Sequence, residues 1–397
     1  MFKIAKWFNN YKAPSVLMID DLSDAYVEVY EESHKNDWGY FCNKEDSSFQ
    51  FLQKNLLALY PEIKITFFVP YLRHNVINDH SKFTVKKFAL GEREEYTHFL
   101  KQLNEQGHEI SHHGSNHGEY FDDTLPTTVN NWTHEWALFD DVDTAVNITM
   151  DGVKKFKSIC NIDVVGGKYC GYIAIENSRE IIDKCDFLYW CEGVNYDTSS
   201  YNDTMFGQND IISFPTTIAG NSFVRLSYLT GNAKKDKQKK ILKYFQPLYN
   251  ILSYINIYKF YRKGHIISIQ EHYSPSTTSG MVQSANIVSD IKSLQKTFSF
   301  LQKLSIWYAS CKEIASYIYI QKNTTLAVSE AQINIIFNNN KKIDNSIISI
   351  TNSKSFTLKK EGDNQSWSSE LNNKLYVVNV PIQNGNNVFT YLEKCEG

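Results

Sequence analysis

Two histidines four positions apart are the first residues in this sequence whose type and spacing suggest chemistry. His113 and His117 lie in a turn with glycine and serine that follows a short apolar segment. Two imidazoles placed in this way can reach one cation, and neutral imidazole is a common ligand of zinc and similar metals. His112 is adjacent and could be a ligand instead, so the histidines alone leave the ligand set open.

Two adjacent carboxylates could complete such a site. Asp20 and Asp21 follow the apolar run SVLMI, and charges at the end of a buried strand are costly unless something compensates them. A helix cap or a turn is the simpler interpretation. The alternative is a division of labour, in which one carboxylate binds a metal and the other acts as a base. A His-His-Asp set leaves metal positions open for water and substrate.

Further polar residues follow later apolar segments. His272 comes after the segment HIISIQ, and Lys168 and Tyr169 come after the segment DVVGG. Because functional sites of α/β barrels are built at the carboxyl ends of the strands, we expect these residues to share one edge with the aspartates. Trp38, Trp190 and the loop 118–136 are candidates for contacts with a sugar, although most aromatic side chains fill a core.

The elements that would position these residues alternate between strand and helix. Apolar runs predict strands at 15–19, 63–69, 108–111, 163–166, 187–190, 211–214, 223–227 and 265–270. Helical periodicity predicts helices at 48–60, 94–106, 139–159, 176–184, 234–262 and 288–304. This alternation predicts an α/β fold with a parallel sheet or barrel.

The composition changes after about residue 322. Asn, Ser and Lys become more frequent, helical periodicity ends, and short β-forming segments alternate with turn residues. This pattern predicts a small β-sandwich. We therefore expect two domains, an α/β barrel over residues 1–321 and a β-rich domain over residues 322–397.

Composition also argues against several classes of protein. The net charge of -3 gives no general attraction to nucleic acid or to an anionic membrane. Seven cysteines without a CxxC pair argue against a disulfide scaffold and against a cysteine zinc site. No apolar run approaches the ~20 residues that a membrane span needs, and the first residues do not resemble a secretory signal. A reduced, cytoplasmic location is therefore expected.

The segment 234–262 has a basic start and an aromatic, amphipathic continuation. A surface helix packed on the barrel is the simplest interpretation. A lid, a contact between copies of the chain and a peripheral contact with a membrane surface are the alternatives. The sequence leaves the oligomeric state open.

The order and separation of these motifs resemble the polysaccharide deacetylase family, carbohydrate esterase family four, which has the NodB-like fold. The resemblance covers residues 14–320. It rests on MIDD at 18–21, TFFV at 66–69, GHEISHHGSNH at 107–117, GGKYCGY at 166–172 and His272 after a strand. Two departures from the family pattern are clear. Leu22 and Ser23 replace the glycine that follows the aspartates, and Lys168 stands where the family has an arginine.

The resemblance implies a distorted (β/α) barrel and a divalent metal, most simply zinc. Asp21, His113 and His117 would hold the metal, and His112 would not. The family chemistry is the hydrolysis of an acyl amide, in which the metal activates water for attack on the carbonyl.

The remaining roles also follow from the resemblance. Asp20 would be the general base, His272 would protonate the departing amine, and Lys168 would keep Asp20 ionised. The backbone N–H of Tyr169 would stabilise the oxyanion.

The expected function is removal of an acetyl or similar acyl group from an amino sugar, in a glycan or a precursor of polysaccharide biosynthesis. The alternative is a catalytically weak relative that binds a glycan. The replacement of the family arginine by Lys168 motivates that alternative, because lysine cannot make the same bidentate contact.

Overall fold

The residues singled out above lie on a ten-stranded, mostly parallel sheet. The computed structural model describes residues 1–25, 33–40, 45–79, 82–120, 132–193, 205–224, 243–273, 286–341, 343, 345–363 and 365–393. In chain order the strands are β1 (Lys3–Ile4), β2 (Ala13–Asp20), β3 (Ile65–Val69), β4 (Leu72–Asp79), β5 (Lys82–Ala89), β6 (Glu109–His112), β7 (Gly118–Tyr120), β8 (Trp132–His134), β9 (Gly166–Lys168), β10 (Tyr189–Cys191), β11 (Met205–Phe206), β12 (Ile211–Ser213), β13 (Ile218–Ala219), β14 (Ile267–His272), β15 (Ile306–Tyr308), β16 (Thr324–Val328), β17 (Gln332–Phe337), β18 (Ile347–Asn352), β19 (Phe356–Lys360), β20 (Ser366–Ser368), β21 (Glu370–Asn372), β22 (Leu375–Pro381) and β23 (Gly385–Glu393).

The helices lie mainly between the strands of this sheet. They are α1 (Ser48–Leu52), α2 (Glu94–Glu105), α3 (Val142–Lys155), α4 (Ser178–Lys184), α5 (Gln246–Lys263), α6 (Ile287–Leu301) and α7 (Cys311–Lys322). Wider π-helical turns, Gln53–Leu57 and Phe156–Cys160, continue α1 and α3. The strand–helix alternation confirms the α/β prediction.

The central sheet has the order β11-β12-β10-β9-β6-β3-β2-β14-β13, and β15 also pairs with β2. Its pairs are parallel, apart from β11 with β12. Within the described residues β11 and β13 are its edges, so the sheet has the form of an open barrel.

Strand β2 lies in the middle of the sheet and every one of its residues is buried. A parallel strand covered on both faces is expected to be almost continuously apolar, which explains the run SVLMI. Asp20 ends the strand and is paired in register with Phe68 of β3 and His272 of β14. The carboxyl ends of these strands are therefore level with one another.

The residues after 322 form most of two antiparallel sheets. One has the order β1-β18-β22-β21 and the other the order β16-β17-β23-β19-β20. Apolar side chains such as Ile335, Ile350, Leu358 and Val380 form their common core. This agrees with the predicted β-rich region. Strand β1 comes from the other end of the chain and pairs with β18, and a division at residue 322 stays a prediction.

Several elements differ from the sequence-based expectation. The hairpin of β4 and β5 and the helix α7 were not predicted, and β9 lies two to three residues later than the predicted strand. The predicted strand 223–227 is wrong at its start, because Gly220–Phe223 forms a 3-10 turn; its last three residues lie outside the described part. No helix of the described part is long and apolar enough to cross a bilayer.

Candidate active site

Six polar side chains meet at the carboxyl edge of the central sheet. Four neighbouring or next-neighbouring strands end there, and each contributes its last residue or the residues that follow it. They are Asp20 and Asp21 from β2, His113 and His117 from β6, Lys168 from β9 and His272 from β14. The sequence predicted that these residues would share one edge, and the structure brings them together.

Asp21 and the two histidines form the first half of the site. The Oδ1 atom of Asp21 lies 3.3 Å from Nε2 of His113 and 3.0 Å from Nε2 of His117. The two imidazole rings are 5.1 Å apart between centroids. Three atoms of the types that bind divalent metals therefore converge on one point.

Two of these ligand-type residues need an unusual backbone. Asp21 has φ of 66° and His117 has φ of 58°, both in the left-handed region that non-glycine residues seldom adopt. Gly114, between the two histidines, has φ of 77°. A Cβ there would lie 2.6 Å from the Cys170 sulfur and 2.8 Å from Glu135 Oε2. The turn after β6 therefore has space for glycine only.

Glu135 stabilises this turn through hydrogen bonds to its backbone. Its buried carboxylate accepts hydrogen bonds from the backbone N–H of Ser115 at 3.0 Å and of Asn116 at 2.5 Å. Burial raises the pKa of Glu135, and these two bonds and the nearby His117 act in the opposite direction. Sequence reasoning missed Glu135, because its contact depends on a loop that returns to β6 from 20 residues further on.

The orientation of His113 is set by its second ring nitrogen. Nδ1 lies 3.3 Å from the backbone oxygen of Lys168, an acceptor only, so Nδ1 carries the proton of this hydrogen bond. The lone pair of the neutral ring is then on Nε2, which faces Asp21. Such a carbonyl partner is the usual way in which a metal-binding histidine is held in the correct tautomer.

Cys170 is a further neighbour that the sequence did not indicate. Its sulfur and one ring nitrogen each of His113 and His117 lie within 4.8 Å of one another. The thiol donates to the backbone oxygen of His113 at 3.1 Å. Burial raises the pKa of the thiol well above its ordinary value, and Glu135 and Asp21 raise it further. The protonated thiol supports the His113 backbone, so the carboxylate of Asp21 is the better third ligand.

The donor set fits a divalent cation. Asp21 Oδ1 is buried and makes no hydrogen bond to any of the described residues, although it faces two nitrogens. Its separations of 3.0 and 3.3 Å from them are close to the edge of about 3.3 Å between ligands that lie 2.0–2.1 Å from a tetrahedral zinc.

The charges of this half are complementary in the absence of a metal. Burial raises the pKa of Asp21, but His117 and His113 outweigh it and the pKa lies well below its ordinary value. Burial lowers the pKa of His117, but Asp21 outweighs it and the pKa is raised. An acceptor-only carboxylate thus attracts positive charge, as a cation site requires.

Asp20 and Lys168 form the second half of the site. Lys168 is fully buried, and its Nζ lies 2.9 Å from Oδ1 of Asp20. It also donates to Oε1 of Gln270, which accepts from the Tyr172 hydroxyl at 3.1 Å. Burial lowers the pKa of Lys168, but Asp20 and Tyr172 outweigh it and the pKa is raised. Lys168 is therefore a fixed cation beside Asp20.

The second carboxylate oxygen of Asp20 faces two histidines. Oδ2 lies 3.6 Å from Nε2 of His272 and 3.9 Å from Nε2 of His113. Burial lowers the pKa of His272, and Asp20 and Asp21 partly offset that effect. The side chains of His117 and His272 are 23% and 18% exposed, which makes them the most exposed members of the site.

Four further candidates lie elsewhere. His112 is buried on the other side of β6, where its ring stacks near Phe187 and Trp190. Burial lowers its pKa to about 3, and it does not reach the site. The ring of Trp190 is fully buried against Trp136 and Tyr169. Trp190 is therefore a packing residue, which corrects the prediction that it contacts a sugar.

The other two candidates keep only part of their predicted role. The Tyr169 side chain is buried in the same aromatic cluster, so it cannot contact a substrate, and an oxyanion role of its backbone N–H stays a prediction. Trp38 is half-buried against the core, in a segment that bridges to Ser23 near Asp21. A sugar contact of Trp38 also stays a prediction. Most of the loop 118–136 lies outside the described residues.

Comparisons with known proteins give structural relatives only. No protein-family model and no curated protein matches the chain. A chain from Mycobacterium smegmatis assigned as a polysaccharide deacetylase is 15% identical, with a TM-score of 0.44 over 82% of this chain and 98% of that one. Puue allantoinase is 14% identical, with a TM-score of 0.43 over 79% and 92%. A chain from Pseudomonas aeruginosa, also assigned as a polysaccharide deacetylase, is 13% identical. Its TM-score is 0.43 over 79% of this chain and 93% of that one.

Proposed function

We propose that this protein is a hydrolase that removes an acyl group from an amide nitrogen with the help of a divalent cation, most simply zinc. The substrate we propose is an N-acetylated amino sugar in a glycan or glycan precursor. The proposal is carried by one observation. A buried, unbonded carboxylate oxygen of Asp21 faces two imidazole nitrogens, and a second carboxylate stands beside them.

Asp21, His113 and His117 would hold the cation. When bound, a divalent metal supplies Lewis-acid chemistry toward the carbonyl and makes water more acidic. We expect water and substrate to enter beside His117 and His272, the most exposed members of the site.

Asp20 would act as the general base through Oδ2, because Oδ1 is bound to Lys168. Lys168 orients the carboxylate and offsets its charge. The proton that Oδ2 takes from water can pass to His272, whose Nε2 is 3.6 Å away. His272 then protonates the amine as the carbon–nitrogen bond breaks, so that the products are a carboxylate and an amine.

The replacement of the family arginine is compatible with this chemistry. The reason to consider a catalytically weak, glycan-binding relative was the lysine at position 168. Lys168 makes a direct ion pair with Asp20 at 2.9 Å and is held by Gln270. The base therefore keeps a cationic partner, although the contact is monodentate.

Release of acetate from N-acetylated amino-sugar oligomers would test the proposal. The purified chain would be assayed with zinc and after chelation, beside His117→Ala and the control His98→Ala. His98 is an exposed histidine of α2 outside the site. We expect zinc-dependent turnover in the wild type and in His98→Ala, and none in His117→Ala. Binding of the oligomers without turnover would favour the glycan-binding alternative.

A further inference from the structure

Helix α5 is attached along one side to the turn Gly220–Phe223, which follows strand β13. Ser253 donates to the backbone oxygen of Ser222 at 2.7 Å, and Gln246 donates to that of Phe223 at 2.9 Å. The ring of Tyr254 packs against Phe223 at 4.6 Å. The position of the helix on the protein is therefore fixed by specific contacts.

The opposite side of α5 is apolar and faces solvent. Seven large apolar side chains on the helix and the turn before it are between 41% and 87% exposed. Within the helix they recur every three or four residues, so they form one continuous row. They are Tyr244, Phe245, Leu248, Ile251, Leu252, Ile255 and Tyr258. In a soluble monomer, a contiguous apolar surface of this kind marks a place where something binds.

The charged residues of this segment of the sequence are all basic. The sequence from Lys237 to Gln270 contains no aspartate or glutamate, although the chain as a whole has a net charge of -3. It contains seven basic residues: Lys237, Lys239, Lys240, Lys243, Lys259, Arg262 and Lys263. The last three are exposed at the carboxyl end of α5. A partner that covers the apolar row must therefore tolerate, and would favour, a concentrated positive charge.

We propose that this exposed row of α5 is a docking surface for an anionic membrane leaflet. An apolar row flanked by lysine, arginine and tyrosine is suited to a helix that lies in the interface between lipid headgroups and acyl chains. The helix would lie parallel to the membrane over a length of about 27 Å, from 18 residues at 1.5 Å each.

A second copy of the chain is a less suitable occupant. Symmetric pairing through this row would include two sets of exposed cations, Lys259, Arg262 and Lys263, in one interface. No acidic side chain of either helix could offset them, since α5 has none. Anionic lipid headgroups offset the same charges directly.

The docking surface lies near the edge of the sheet that carries the candidate active site. The turn Gly220–Phe223 follows β13, whose last residue is paired with Gln270 of β14. The first residue of α5, Gln246, is hydrogen-bonded to that turn. The amino end of α5 is therefore near the carboxyl end of β14, the strand that ends at His272, and docking would bring this edge of the sheet close to the membrane.

Co-sedimentation of the full chain with lipid vesicles tests the proposal. Vesicles of phosphatidylcholine alone would be compared with an equal mixture of phosphatidylcholine and phosphatidylglycerol, at low and at high salt. We expect binding to the mixed vesicles, weak binding to phosphatidylcholine, and weaker binding at high salt. Failure of the wild type to bind the mixed vesicles at low salt would overturn the proposal.

Two variants locate the surface, each with a matched control. The double substitution Ile251→Asn and Ile255→Asn removes apolar contact, and Lys259→Glu with Lys263→Glu reverses charge. Each should reduce binding by about tenfold or more. The controls Leu371→Asn with Leu392→Asn and Lys359→Glu with Lys374→Glu change exposed residues of the β-rich region and should bind like the wild type.

Two other measurements keep the result interpretable. Thermal unfolding should be unchanged in the α5 variants, since the substituted side chains are exposed. The mass of the protein in solution should be that of a monomer without lipid. A dimer that the Ile251→Asn and Ile255→Asn substitutions dissociate would assign the row to a second copy and overturn the membrane proposal.

Discussion

Strand β6 contributes to two buried polar clusters, one at each end. At its beginning, three donors surround the carboxylate of Glu109: Thr66 Oγ1 donates at 2.9 Å, Lys312 N at 2.8 Å and Tyr189 Oη at 2.9 Å. After its end, His113 faces Asp21, whose Oδ1 has no hydrogen bond to the described residues. The first cluster is completed by the protein's own groups, and the second is not.

The first cluster leaves neither carboxylate oxygen of Glu109 without a donor. Ser111 donates to the backbone oxygen of Gly166 at 2.7 Å and also lies 2.8 Å from the Tyr189 hydroxyl. The Tyr189 hydroxyl in turn donates to Oε1 of Glu109 at 2.9 Å, so Ser111, Tyr189 and Glu109 form one buried chain of polar groups. Burial raises the pKa of Glu109 to about 7, and its hydrogen-bond donors only partly offset this.

The comparison shows which buried charge marks a functional site. Both clusters are buried and both contain carboxylates, so burial and charge do not distinguish them. The Glu109 cluster has one proton or donor for each acceptor, as a structural network should. The Asp21 cluster has three ligand-type atoms that face one another, and Asp21 Oδ1 has no donor among the described residues.

The largest effect is expected for Asp20→Asn, which tests the proposed chemistry of the Asp21 cluster. The variant should keep bound metal but lose about 10²–10⁴-fold in turnover, because the general base is removed. Turnover and metal content of the same preparation would be measured together. His272→Ala should give a similar loss of turnover. This second variant is included because Asp20→Asn removes the ionic partner of the buried Lys168 and can prevent folding, whereas the His272 side chain is partly exposed. Normal turnover in either variant would contradict the mechanism.

A smaller effect is expected for Glu135→Ala, which tests whether the Asp21 cluster depends on the turn after β6 that Glu135 supports. Without the two backbone hydrogen bonds to Glu135, His117 should lose its fixed position. We expect metal affinity to fall by about 10–100-fold, as measured by competition with a chelator. The control is Glu94→Gln, at an exposed site in the first turn of α2. Equal metal affinities of the two variants would show that the turn after β6 keeps its conformation without Glu135.

The smallest effect on the candidate active site is expected for Glu109→Gln, which tests the structural role of the Glu109 cluster. The pKa of Glu109 is about 7 in the fold against an ordinary value of 4.5, so the folded state holds the proton more tightly. Its contribution to stability is present below about pH 4.5 and is lost as pH rises to about 7, by about 3 kcal/mol.

Glutamine imitates the protonated acid, so Glu109→Gln should remove this part of the pH dependence. Denaturant unfolding of both proteins at pH 5 and pH 8 would measure the difference. Metal content should be unchanged. The Glu109 cluster is not the separate structural network described here if the two proteins lose stability equally as the pH rises, or if the variant loses metal.

The parts of the site that the sequence predicted are those fixed by strand positions. Asp20, Asp21, His113 and His272 each follow or end an apolar run, and parallel pairing brings such ends to one edge. His112 could not be separated from His113 on spacing alone. Strand alternation does separate them, because successive side chains point to opposite faces.

The parts that the sequence did not predict depend on contacts made after the chain has folded back. Glu135 and Cys170 meet the His113 turn from separate loops, and no local pattern marks them. The burial of Trp190 depended on which face of β10 it occupies. For helix α7 a signal was present and was missed, since Ser310 and Glu313 form a capping box.

The most direct test of the central claim is the metal content of the purified protein beside His113→Ala, with His98→Ala as the control. Elemental analysis after zinc loading and removal of free metal should give about one metal per chain in the wild type and in His98→Ala. It should give almost none in His113→Ala, with the fold retained by circular dichroism. A wild type that binds no metal after loading with zinc, or a His113→Ala variant that binds as much as the wild type, would contradict the account.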